Sequence, residues 1–206
     1  MNVLTYALLA ESAYISKPTF GDEDSASRAY VSETDEGQCV SFPGTDNAAC
    51  FLADLDIETI SISGLGTIHA GFYEAFLPLK AQLMLCEPTV ITGHSLGASL
   101  AILYAAELCL AGTPPKAVLA FEPPRVSIDN TLTELFAAHS VKLLLTWYGE
   151  DIFTTVPRLF HNWQHPCELT RIGSTWMERL PVPIVNIQDH AITNCVNFYT
   201  DNPTEF

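Results

Sequence analysis

The sequence predicts an α/β fold, a mostly parallel central sheet with helices on both faces. Three observations predict it. The short β-branched run Thr89-Val90-Ile91-Thr92 is followed by a long apolar run, Leu96 to Leu110, with helical character. The same alternation of strand-like and helix-like segments continues toward the carboxyl end, and strands that alternate with helices form parallel sheets covered on both sides. No repeat, low-complexity tract or Pro/Gly/Ser-rich linker interrupts the 206 residues, so one domain over 1–206 is expected.

The elements follow in order. Met1 to Ala10 reads as an amphipathic opening helix. It carries no Lys or Arg, and the first basic residue is Lys17. A standard secretory signal needs a basic start, so a cytoplasmic site or non-classical export is expected. Gly21 to Gly37 is acidic and polar around the island Ala29-Tyr30-Val31, a loop with an edge strand. Gln38 to Phe42 reads as a strand that ends at Pro43-Gly44. Gly71 to Leu85 has helical spacing through Phe72, Ala75, Phe76, Leu79 and Leu83. The uncharged stretch from Pro88 to Ala106 contains Gly93, His94, Ser95 and Gly97, and it reads as strand, turn and buried helix, not as a membrane span. Ala117 to Phe121 is the next strand and Thr131 to Ala138 a helix. Val141 to Trp147 is a further strand, and Asp189 to Phe198 the last helix.

Charge and cysteine usage exclude several functions. Lys and Arg number 9 and Asp and Glu 24, a net charge of −15. Such a surface is repelled by phosphate backbones, so no nucleic-acid partner is expected. Anionic membranes repel it too, so any transient lipid-interface contact has to rest on apolar surface. The six cysteines include no C-x-x-C pair, which leaves a zinc or thioredoxin-like site without support. Reduced thiols are expected, with no metal and no cofactor.

One motif carries chemistry. Gly93-His94-Ser95-Leu96-Gly97 fits G-x-S-x-G, behind a β-branched strand and in front of an apolar helix. A serine at such a turn adopts a strained backbone that lifts its hydroxyl clear of the sheet. Side chains two residues to either side would collide there, which is why both positions are glycine. The residue after the nucleophile, Leu96, supplies one backbone N–H to an oxyanion hole. His94 reads as a buried, hydrogen-bonded turn residue.

A serine hydroxyl needs a base, and the base needs an orienting acid, in the chain order Ser, acid, His. The acids near strand ends are Glu122, Asp129, Glu150 and Asp151. Asp151 is well placed, because functional loops sit at the carboxyl ends of parallel strands. The downstream histidines are His161, His165 and His190. His190 is preferred, and spacing alone leaves the other two open.

The blocks around these residues resemble the class 3 (fungal-type) lipases of the α/β-hydrolase superfamily. Phe42-Pro43-Gly44-Thr45 is similar to that family's F-R-G-[ST] segment, and Phe51-Leu52-Ala53-Asp54-Leu55 to its W-x-x-D-[LF] segment. His69-Ala70-Gly71-Phe72 resembles H-x-G-F, and Gly93 to Leu100 resembles G-H-S-L-G-G-A-L. Phe121 to Val126 is similar to F-G-x-P-R-V, Asp151 to Pro157 to the acid block, and Asp189-His190 to the terminal D-H. The order of the seven blocks is more specific than any one of them. Pro43, Ala98, Glu122 and Thr193 depart from the pattern, where the family has Arg, Gly, Gly and Tyr.

The resemblance implies an α/β-hydrolase fold and ester hydrolysis through Ser95, Asp151 and His190, with Thr45 as the second oxyanion donor beside Leu96. It implies an ester or lipid substrate and makes Asp46 to Ala53 a lid. That segment holds few large apolar residues, so weak interfacial activation is expected. Other readings are an esterase or phospholipase on other esters and a catalytically silent lipase-like binding module. A nucleotide-binding protein would need a Gly-rich phosphate loop, which the sequence lacks. His69, Trp147, Trp163 and Trp176 read as structural.

Overall fold

The run Val90–His94 (β6) sits at the centre of the molecule because all five of its residues can be buried. In a computed structural model, which describes residues 1–45, 57–158, 161–173 and 187–206, it has a parallel neighbour on each side. These are Gly37–Phe42 (β3) and Ala117–Phe121 (β7). Beyond β7 the sheet continues in parallel through Lys142–Tyr148 (β8) and Leu169–Ile172 (β9). On the other side β3 pairs antiparallel with Arg28–Thr34 (β2), and β2 with the two-residue Phe20–Gly21 (β1). The predicted edge strand is therefore β2, flanked outside by a shorter piece. The seven-stranded order is β1-β2-β3-β6-β7-β8-β9.

Strand alternation sends successive side chains to opposite faces. Val40, Phe42, Ile91, Val118, Ala120 and Leu145 face one core, with the helices Ala70–Leu83 (α2), Leu96–Ala111 (α3) and Thr131–Ala138 (α4). Cys39, Val90, Leu119 and Phe121 face the other, with Val3–Ser12 (α1) and Ile192–Asp201 (α5). α1 buries Val3, Tyr6, Ala7 and Ala10, the spacing of one helix face. Asn2 caps it by accepting from the Leu4 N–H at 2.9 Å.

α3 is apolar all round, and its one charge, Glu107, is met by Lys80 Nζ at 2.6 Å and the Tyr73 hydroxyl at 2.9 Å. No helix among the described residues is long and apolar enough to cross a membrane. The cysteines Cys39, Cys86, Cys109, Cys167 and Cys195 are free thiols.

The last helix differs from expectation. Asp189 and His190 belong to a 3-10 turn, Ile187–His190, and α5 starts only at Ile192. The reason is tertiary: the Asp189 carboxylate accepts the Glu150 N–H at 2.9 Å, which holds this turn against the end of β8. A separate hairpin, Thr59–Ile62 (β4) with Gly66–His69 (β5), was not anticipated. The segment expected to form a lid, 46–53, lies outside the described residues, as do the Phe51–Leu55 block and Trp176.

Candidate active site

The site begins where β6 gives way to α3. The backbone turns at Ser95 with φ 57° and ψ −129°, a region that costs about 1–3 kcal/mol for a non-glycine residue. The turn is held by the Ser95 N–H donating to the Phe121 carbonyl at 3.0 Å. The flanking glycines are needed for the reason the spacing suggested. A Cβ on Gly93 would strike the Gly97 backbone, and one on Gly97 would strike the carbonyls of Phe42 and Pro43. The second collision involves β3, so the elbow is wedged between two elements.

The Ser95 hydroxyl lies 2.7 Å from His190 Nε2. His190 Nδ1 lies 3.0 Å from Asp151 Oδ2, and the other Asp151 oxygen accepts the Phe153 N–H at 2.9 Å. The structure thus brings together three side chains from the ends of β6 and β8 and from the turn before α5. The Phe153 ring stacks on His190, centroids 3.6 Å apart and planes 13° from parallel. The Asp189 clamp fixes the turn that carries the imidazole.

All three groups are buried, and Ser95 is 1% exposed. Burial holds the His190 pKa well below the ordinary histidine value, so the ring is neutral at pH 7 and free to accept a proton. Burial pushes the Asp151 carboxyl upward, and the Phe153 N–H opposes that shift.

A cavity of about 290 Å³ reaches Ser95, lined by Tyr14, Thr45, His94, Ser95, His190 and residues 191–193. The Thr45 hydroxyl is buried with no hydrogen-bond partner among the described residues. Leu96 is the first residue of α3, where backbone N–H groups lack intrahelical acceptors.

The competing candidates are engaged elsewhere. His165 Nε2 bonds the Thr154 carbonyl at 2.9 Å, and the His161 ring stands edge-on to Trp163. Glu150 pairs with Arg171 at 2.6 Å. Asp129 accepts the N–H groups of Thr67 and Thr131. His69 caps α2 and stacks on Phe72.

Sequence reasoning missed a second buried chain. His94, the last residue of β6 and not part of the turn, is buried and hydrogen-bonded. Its Nδ1 lies 2.5 Å from the Tyr14 hydroxyl and its Nε2 2.8 Å from Glu122 Oε2. Glu122 is 0% exposed and has φ 56°, a glycine-favouring conformation. The departure from Gly at this position was the signal, but its meaning lay in distant partners. His94, Glu122 and His190 also offer the one set of ligand-type atoms among the described residues close enough together to hold a metal ion. What joins those atoms here is hydrogen bonding, and His190 uses both ring nitrogens on Ser95 and Asp151.

Comparison with known proteins bears on the family and the fold. The sequence profile of the family described as Lipase (class 3) matches residues 39–161. Among solved structures, native Rhizomucor miehei lipase in its propeptide complex is 21% identical with a TM-score of 0.67, over 82% of this chain and 67% of that one. A deletion mutant of the same complex is 22% identical with a TM-score of 0.61, over 71% of this chain, which spans only 52% of its length. Yarrowia lipolytica Lip2 lipase is 18% identical with a TM-score of 0.66, over 82% of this chain and 77% of that one. These likenesses show the fold, an α/β hydrolase. No curated protein matches the sequence.

Proposed function

The chain belongs to the class 3 lipase family, and from that premise we propose that it is a serine carboxylic-ester hydrolase that cleaves acyl esters, glycerolipids among them, through an acyl-enzyme. The observation that carries the reading is the hydrogen-bonded series Ser95, His190, Asp151 at a strained elbow.

In this mechanism His190 Nε2 takes the Ser95 proton as Oγ attacks the ester carbonyl. Asp151 holds Nδ1–H, which fixes the tautomer and stabilises the imidazolium. The N–H of Leu96 and the N–H and hydroxyl of Thr45 receive the oxyanion. The Thr45 hydroxyl, without a partner among the described residues, supports that role, and each such donor is worth about 2.7–4 kcal/mol in the transition state. The imidazolium returns its proton to the leaving alcohol, and water then releases the acid by the same route.

An apolar groove of about 580 Å³, lined chiefly by Leu8, Leu9, Tyr14, Ile15 and Ile192, shares Tyr14 and Ile192 with the Ser95 cavity. It is the acyl path in this reading, and the exposed Leu8 and Ile15 are the apolar surface for lipid contact. Replacement Ser95→Ala is expected to abolish hydrolysis of a p-nitrophenyl ester while the melting temperature stays close to wild type. Retained turnover would sink the assignment.

A further inference from the structure

A second acid addresses the imidazole that Asp151 holds. Glu122 Oε2 lies 3.7 Å from His190 Nδ1, the nitrogen that Asp151 Oδ2 meets at 3.0 Å. The same Glu122 oxygen lies 2.8 Å from His94 Nε2, and the two imidazole rings lie 4.8 Å apart. Glu122 thus stands between His94 and His190, fully buried, on a backbone that side chains rarely adopt. A strained, buried acid persists only where its surroundings over-determine it, and such positions cluster at functional sites.

We propose that Glu122 is a positioning residue for His190, a second carboxyl that stands ready at the nitrogen held by Asp151 and takes it over when Asp151 is lost. The proposal rests on the reading of Ser95 and His190 as nucleophile and base.

The groups that face Glu122 are His94 from β6, Asp151 from the end of β8, Asp189 and His190 from the 3-10 turn, and the Cys195 thiol from α5. Burial, and then the Asp151 and Asp189 charges, raise the Glu122 pKa well above the usual carboxylate range, against the Tyr148 backbone and Cys195 hydrogen bonds. Two carboxyls this close do not both ionise readily, so they share one negative charge. Beside a charged Asp151, a neutral Glu122 donates from Oε2 to His94 Nε2. His94 is itself held neutral by burial and by His190. Without Asp151 the first of the two charges that oppose its ionisation is gone, and Glu122 gives up its proton to solvent more readily to carry the charge beside the imidazolium. A shift of less than about 1 Å then brings it into hydrogen-bond range of His190 Nδ1–H.

The test compares ester turnover in Ser95→Ala, Asp151→Ala, Asp151→Ala/Glu122→Gln and Glu122→Gln proteins. Asp151→Ala is expected to keep activity clearly above the Ser95→Ala level, and adding Glu122→Gln is expected to remove about tenfold or more of it. The proposal is overturned if Asp151→Ala already sits at the Ser95→Ala level, or if the double variant matches the single. Should Asp151→Ala fail to fold, the pH profile of kcat/KM decides. Wild type then shows an ionisation above the usual carboxylate range that Glu122→Gln lacks, and superimposable profiles overturn the idea. Wild-type turnover in Ser95→Ala would instead bring down the nucleophile assignment beneath it.

Discussion

The carboxyl ends of β7 and β8 lie side by side, and each delivers an acid toward one imidazole, but they are built differently. After β8 the chain turns through Gly149 at φ 54°, a conformation glycine adopts without strain, and Asp151 accepts the Phe153 N–H and meets His190 directly. After β7 the chain bends through φ 56°, and Glu122 meets His94 first and His190 only at longer range. The difference teaches that a strand end supplies position, while the local backbone and the second partner decide which acid holds the imidazole. One acid is free to serve His190, and the other is committed to His94.

The largest effect is expected at the group both acids address. Replacement His190→Ala removes the base, and turnover of a soluble ester is expected to fall about 10⁴-fold or more. Its loss should exceed that of Asp151→Ala, measured on the same substrate, because one acid remains in the second case and neither helps in the first. Equal losses would erase the distinction between the strand ends.

A smaller effect is expected in stability. Glu122 has a folded pKa raised well above 4.5, so its contribution is fully present below that value and is lost as pH rises through the folded pKa. The buried histidines act in the opposite sense. His94, His165 and His190 are depressed below 6.5, so their contribution is present above that value and is lost as pH falls toward the folded pKa. Glu122→Gln is therefore expected to lose less melting temperature than wild type on going from acid to alkaline pH. Parallel melting curves would contradict the burial of a titrating acid at this strand end.

Much of this arrangement was legible in the sequence. The residues 117–121 and 131–138 have the expected bounds, because a continuous apolar run and a helical spacing are local signals. The elbow was legible for the same reason, since strand, glycines, serine and apolar helix are contiguous. The hairpin β4–β5 was not, because Thr59–Ile62 is short and leaves only partial burial to read. The end of the chain misled because Asp189 is pulled out of helix by Glu150, 39 residues away. Glu122 was visible as a departure from pattern, but its partners His94 and His190 lie 28 and 68 positions away and only the fold brings them together.

The central claim is that the Ser95 hydroxyl is activated by His190 within reach of the cavity beside it. A fluorophosphonate probe, followed by peptide mapping of the native protein and of His190→Ala, tests it most directly. The account predicts one covalent adduct, on Ser95, that is lost in His190→Ala. An adduct on another serine, or none on the native protein, would contradict it.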